Sequence, residues 1–281
     1  MKLGINFLLW TVHVTEEYYH LFDKLKKAGY DGVEIPLVIG NERDYKQMAQ
    51  AIKDAGLEVT CTSNGSVDKN IISADASIRQ AGLDHIKWGV DMAQVLGSKL
   101  IGGPIHVAPG QFTGAGPQEQ EYLWAAEQLK KAAVYADGAD VSLAMELLNR
   151  FECYLTNTIE QGKYLSQLVD HPRVGIHYDT HHANMEEKSI TQAIQSGGKD
   201  ILHVHFSESH RGILGQGQVD FAESVSALKS IGYDDWVTIE CFTTKVDGLR
   251  QAVAMWREQF DSDGVCYTES AKYAHNIWSI N

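Results

Sequence analysis

The stretch HYDTHHANMEE (177–187) sets an aspartate, three histidines and two glutamates at the exit of an apolar run. Three other apolar runs end in the same manner: AMELLNRFE carries Glu146, HVHFSESHRG carries His205 and TIECF carries Glu240, while the first stretch supplies Asp179. A charge inside such a run is costly unless it is paired or bound to a metal. Each has an ordinary explanation when taken singly, as a carboxylate accepting backbone N–H groups or a histidine packed in a core. Brought together, three carboxylates would repel one another and raise their pKa values. A divalent cation resolves that conflict. Three carboxylates and one imidazole make an oxygen-rich set that leaves two positions of an octahedron open; Mn²⁺ suits it best, with Co²⁺ or Mg²⁺ next. A structural zinc site would call for cysteines or more histidines and no vacancy. Two open cis positions suit a bidentate ligand such as an α-hydroxy ketone.

The elements that must hold these residues recur along the chain. Eight short apolar runs stand out: 2–9, 32–37, 58–63, 99–105, 141–148, 174–180, 201–208 and 236–242. Helix-like segments lie between them, including TEEYYHLFDKLKKAG, RDYKQMAQAIKDAG and DFAESVSALKSIG. Two of these end in the Ala-Gly that suits a helix C-terminus. Strand and helix alternating at roughly 35 residues signals parallel βαβ units. Eight such units predict an α/β fold, a closed (β/α)₈ barrel. Residues 1–281 read as one domain, with TESAKYAHNIW near the end as an extra C-terminal helix. A doubly wound sheet would more often carry a glycine-rich phosphate turn after the first strand, where FLLWTVHV stands instead.

Composition narrows the partners. The 281 residues carry 24 Lys and Arg against 37 Asp and Glu, a formal charge of −13 with no basic run, so a nucleic-acid backbone would be repelled. Charges interrupt the long apolar segments and MKLGINFLLW lacks a leader's cleavage pattern, which reads as a soluble cytoplasmic protein without a membrane partner. Cys61, Cys153, Cys241 and Cys266 form no CxxC pair and read as reduced, buried thiols.

The polar motifs resemble one family: the D-tagatose 3-epimerase and D-psicose (allulose) 3-epimerase group of the xylose isomerase-like barrels. The matching stretches are MELLNRFE (145–152), DTHHANMEE (179–187), HVHFSESHRGILGQGQVDF (203–221) and IECF (239–242). The resemblance implies that Glu146, Asp179, His205 and Glu240 hold the metal, and that Glu146 and Glu240 double as the acid/base pair. It implies that Glu152, His182 and Arg211 hold the O1 and O2 end of a ketose, with His181 facing away. Dimers or tetramers are implied too. Departures lie at the other end of the sugar. Asn6 stands where members tend to carry an aromatic or other apolar residue, and Pro104 and His106 stand near an expected apolar wall. Phe7, Trp10, Thr62 and His106 are the candidates for that distal wall.

The chemistry supports these roles. A proton on carbon three of a ketose is acidic only because the neighbouring carbonyl takes up charge as an enediolate, which a chelated cation stabilises. Inversion needs a base on one face and an acid on the other, and two glutamates on strands three positions apart can supply them. Alternation along the strands also points His177 and His203 into the barrel beside the ligands, either as hydrogen-bond partners of a ligand or as core residues. Other readings of the same barrel are an aldose–ketose isomerase, a keto-sugar dehydratase, or a sugar-binding protein without turnover. The last has no use for an acid/base pair.

Overall fold

The computed structural model describes residues 1–280. Eight strands follow one another through the chain: β1 Lys2–Ile5, β2 Gly32–Pro36, β3 Glu58–Thr62, β4 Leu100–Gly102, β5 Ser142–Glu146, β6 Val174–Asp179, β7 Ile201–Ser207 and β8 Trp236–Glu240. Every strand falls inside one of the eight apolar runs. The hydrogen-bonded order is β1-β8-β7-β6-β5-β4-β3-β2, all pairs parallel. A parallel bridge between Asn6 and Glu34 joins β1 to β2. Asp31 N donates to Leu3 O at the start of the same seam. The result is a (β/α)₈ barrel.

The helices between the strands are α1 His20–Lys27, α2 Glu42–Asp54, α3 Ala76–Leu96, α4 Glu119–Asp137, α5 Ile159–Val169, α6 Thr180–Glu186, α7 Ile190–Gly197 and α8 Phe221–Ser230, and the short α9 Leu249–Ala252 follows β8. Their local signals are ordinary. Asn41, Asp75 and Asp220 each accept a backbone N–H as the N-cap of α2, α3 and α8, and Thr158 with Gln161 forms a capping box on α5. The extra helix, α10, spans Asp263–Ile280. Its buried Ser270 accepts from Leu214 N at 3.2 Å, and its Tyr267 carbonyl accepts from Tyr30 OH at 2.8 Å. These bonds tie the loop after β7, and the chain leading into β2, to the C-terminal helix.

Aliphatic residues of strands and helices fill the space between the two layers, among them Val33, Ile35, Leu143, Ile176, Val204 and Ile239. The barrel interior is different, because it is strongly polar. Pairing sets His177 opposite His203 and Asp179 opposite His205, so the two strands stack their inward groups in successive layers. Gly102 of β4 leaves room for them; a Cβ there would come within 2.9 Å of His203 and 3.0 Å of His177. All four cysteines are buried and unpaired. Among the described residues no helix is long and apolar enough to cross a membrane.

Candidate active site and metal centre

The C-terminal strand ends bring four polar residues together. One ligand atom from each of Glu146, Asp179, His205 and Glu240 lies within 4.8 Å of the others. They arise from the consecutive strands β5 to β8, and in the register Asp179 faces His205 while Ser207 faces Glu240. The opening stretch is divided between two elements. Asp179 ends β6 and also caps α6, where its Oδ1 accepts from His181 N at 2.6 Å and His182 N at 3.1 Å. Its Oδ2 has no hydrogen-bond partner, nor has His205 Nδ1. These two buried atoms lie 3.8 Å apart, and His205 Nδ1 is 3.4 Å from Glu240 Oε1. Unpartnered donor atoms of this kind, aimed at one point, fit a divalent cation with a preference for oxygen and imidazole.

Electrostatics separates the two glutamates. Burial, reinforced by Glu240, pushes the Glu146 carboxyl well above the ordinary range. Burial acts the same way on Glu240, but Arg211 and His205 outweigh it and lower its pKa. Burial raises Asp179 to about 6 despite Arg211. For His205, burial is overcome by Glu34 and Glu240, and its pKa rises.

Arg211 is 5% exposed and therefore no solvated loop residue. It adopts φ +62°, in the left-handed region, within the loop after β7. Glu208 holds that loop by accepting from the backbone N–H groups of Ser209, Gly215, Gln218 and Val219. The guanidinium donates from Nη1 to Glu240 Oε2 at 2.7 Å and Ser207 Oγ at 2.8 Å, with Asp179 Oδ2 at 3.5 Å. Its Nη2 lies 3.0 Å from His182 Nε2 and 4.0 Å from Glu152 Oε1. His182 Nδ1 accepts from Asn149 N at 3.0 Å, which leaves the hydrogen on Nε2, 3.6 Å from Glu146 Oε1. Burial and the adjacent Arg211 hold His182 neutral by lowering its pKa. Arg211 Nη2 and His182 Nε2 thus lie side by side next to Glu152.

These groups border a cavity of about 340 Å³ lined by Glu146, Glu152, His182, Arg211 and Glu240 on one side. Small and apolar residues line the other, including Leu8, Val38, Thr62, Val67, Leu249 and Val253. Its size suits a small molecule. A larger hollow of about 790 Å³ is lined by residues of the strand starts, among them the ion pairs Lys2–Glu58 and Lys99–Asp140.

The distal candidates divide. Thr62 lines the cavity. Phe7 does not: β1 stops at Ile5, Asn6 Oδ1 caps the following turn by accepting from Leu8 N, and Phe7 packs on Trp10 and Phe22 at 5.0 and 5.4 Å. Leu8 takes the lining position instead. Trp10 borders a separate cleft with Tyr18, Lys24 and Tyr267. His106 is fully buried with Nε2 2.6 Å from Thr156 Oγ1, outside the cavity, while Pro104 does line it. His181 turns its Nδ1 to Glu208 O at 3.1 Å, while one of its ring nitrogens lies within 4.8 Å of ligand atoms of Glu152 and His182.

Sequence reasoning passed over Glu34. It is buried in the middle of β2, with His203 Nε2 at 2.7 Å and His205 Nε2 at 2.6 Å. The signal was there in GVEIPL, a carboxylate inside an apolar run, but this run is short and the carboxylate sits mid-strand. Asn149 was likewise missed; it positions His182 and, through Nδ2 at 2.8 Å, Glu152.

A parallel barrel with four groups on consecutive strand ends that could hold a metal ion has recognisable relatives. The family model described as the xylose isomerase-like TIM barrel matches residues 22–259, and the chain belongs to that family. Over 91% of its length the chain is 30% identical to an L-ribulose 3-epimerase of Mesorhizobium japonicum, covering 87% of that protein. It is 31% identical over 92% of its length to a ketose 3-epimerase of Arthrobacter globiformis, covering 90% of it. A solved L-ribulose 3-epimerase structure superposes with a TM-score of 0.95 at 29% identity, covering 100% of this chain and 95% of that one. The chain is an enzyme of the isomerase and epimerase class.

Proposed function

We propose that this protein is a metal-dependent ketose 3-epimerase acting on a free monosaccharide. The observation that carries the reading is the convergence of Glu146, Asp179, His205 and Glu240 at the edge of a small cavity, with the two glutamates on strands three positions apart. These four would hold a divalent cation, Mn²⁺ by preference. When bound, the cation would polarise the ketose carbonyl and stabilise negative charge on the neighbouring oxygens.

The remaining work belongs to side chains. Arg211 Nη2 and His182 Nε2 donate to a sugar oxygen at the O1 and O2 end, and Glu152 accepts from a hydroxyl beside them. One glutamate of the Glu146/Glu240 pair removes the proton from carbon three, and the C–H electron pair moves into the carbonyl to give an enediolate. The other glutamate delivers a proton to the opposite face of the same carbon as the carbonyl re-forms. The atoms balance, and the two carboxylates exchange roles in the reverse reaction. General acid/base transfer of this kind contributes about 10²–10⁴-fold. The distal sugar oxygens meet Thr62 and an apolar surface that includes Leu8, Val38 and Val67.

The test is isotopic. D-Fructose, D-tagatose and L-ribulose are incubated separately with Mn²⁺-loaded protein in D₂O and each carbon is followed by NMR. Deuterium at carbon three, together with the C3 epimer, is expected for at least one ketose. Label confined to carbons one or two with aldose appearing would establish an isomerase instead, and a dehydrated diketone would establish a dehydratase.

A further inference from the structure

Glu34 is wholly buried in β2 and does not border the cavity. Its carboxylate is fully engaged. Oε1 accepts from His205 Nε2 at 2.6 Å and from Asn6 Nδ2 at 3.0 Å. Oε2 accepts from His203 Nε2 at 2.7 Å and from Thr60 Oγ1 at 3.1 Å. Four donors, two from β7, one from β3 and one just beyond β1, therefore meet one side chain, matching the four acceptor sites of an ionised carboxylate.

Two of these contacts lead to the cation-binding cluster. An acceptor on Nε2 fixes a hydrogen there, so Nδ1, which faces Asp179 Oδ2 and Glu240 Oε1, is the nitrogen whose lone pair a cation would take in place of a proton, and the ring cannot turn without losing the bond to Glu34. The second route runs through Asn6. Its Nδ2 is shared between Glu34 Oε1 and Glu240 Oε1, the latter at 3.3 Å. Its Oδ1 is held by Leu8 N at 2.9 Å, which fixes which way the amide faces. One carboxylate on β2 thus orients an imidazole on β7 and, through one amide, a carboxylate on β8.

We propose that Glu34 is a positioning residue of the metal centre, setting the tautomer and orientation of His205 and, through Asn6, the placement of Glu240, and so raising affinity for a divalent cation without touching substrate. This rests on the reading of the four-residue cluster as a metal site. A carboxylate behind a ligating imidazole also makes the ring a stronger donor, and removal of such a partner typically weakens metal binding about 10–100-fold.

The experiment compares wild type, Glu34→Gln and Thr60→Val, each stripped with chelator and checked for folding by circular dichroism. Mn²⁺ dissociation constants are measured by calorimetry, and the visible absorption band of the Co²⁺ forms reports ligand geometry. Glu34→Gln is expected to bind Mn²⁺ about 10–100-fold more weakly and to alter the Co²⁺ band. At saturating Mn²⁺ its kcat should recover to within severalfold of wild type. Thr60→Val removes a bond on the side of Glu34 away from His205 and should leave the dissociation constant unchanged. A folded Glu34→Gln variant with wild-type Mn²⁺ affinity and an unaltered Co²⁺ band overturns the proposal, as does lost kcat with affinity unchanged. Should that variant not fold, Asn6→Ala decides, because it cuts one of the two routes: weaker Mn²⁺ binding supports the proposal and unchanged binding overturns it. Failure of the wild type itself to bind Mn²⁺ would sink the metal-site reading along with this one.

Discussion

Replacing Arg211 with alanine should destabilise the metal-free protein far more than the metal-loaded one. Its Nη1 lies 2.7 Å from Glu240 Oε2 and 3.5 Å from Asp179 Oδ2, and its Nη2 lies 4.0 Å from Glu152 Oε1. Coulomb's law with an effective dielectric of about 20 gives roughly 4–6 kcal/mol for each of these. Desolvation of the buried guanidinium takes back much of the sum, and removing one member of a buried ionic group typically costs about 3–5 kcal/mol. For a chain of this size that is a fall of roughly 6–15 °C in melting temperature. A divalent cation held by Glu240 and Asp179 neutralises the same charges, so the deficit should shrink once Mn²⁺ is bound. Turnover should not recover, because a donor to the developing oxyanion is gone; losses of about 10²–10³ in kcat are usual for such donors. Melting is followed by scanning fluorimetry of wild type and Arg211→Ala, with chelator and with Mn²⁺, alongside ketose kinetics. Equal destabilisation in both forms, or an unchanged melting temperature with chelator, would refute the view that Arg211 balances the charge of this cluster.

Glu146→Gln and Glu240→Gln should each lower kcat by several orders of magnitude, measured by epimer formation, since each substitution removes a proton carrier and a ligand; retained turnover in either would exclude that residue from the pair. Dialysis against a chelator should abolish activity, with Mn²⁺ or Co²⁺ restoring it better than Zn²⁺, and full activity in rigorously metal-free protein would end the metal reading. Burial holds His106 down to about 3 from the ordinary 6.5, so between these values the unfolded chain binds a proton that the folded one does not, and stability falls as pH falls. His106→Gln should therefore flatten the acid limb of chelated urea-unfolding stability by up to about 1.4 kcal/mol per pH unit and leave ketose KM unchanged; a raised KM would return His106 to the sugar site.

The barrel was legible because its signal is local and repeated. Each strand is buried on both faces and reads as a short apolar run, and eight of them alternating with amphipathic helices leave few folds open. The proposed ligands Glu146, Asp179, His205 and Glu240 stood out for the same reason, as titratable groups at the ends of those runs. The distal wall was not legible. Whether Phe7 or Leu8 faces the cavity depends on where β1 gives way to a turn capped by Asn6, and a shift of one residue exchanges an inward side chain for an outward one. Likewise His106 lies four residues past the end of β4, where alternation no longer predicts direction, and its partner Thr156 comes from the segment after β5.

Glu34 escaped notice for a different physical reason. Its significance lies in bonds to residues 169 and 171 positions away, His203 and His205, which no local pattern encodes. Yet its place in the barrel makes that reach natural. Asn6 and Glu34 form the bridge that joins β1 to β2, so the pair that closes the seam also sends hydrogen bonds across the interior to β7 and β8. A cation bound by His205 and Glu240 would act on both sides of the closure, and because it would bind the folded chain in preference to the unfolded one, its binding free energy would add to the stability of the closed barrel. Glu34 satisfies four donors in one place, and of the buried atoms left without hydrogen-bond partners two, Asp179 Oδ2 and His205 Nδ1, are aimed where a cation would complete them.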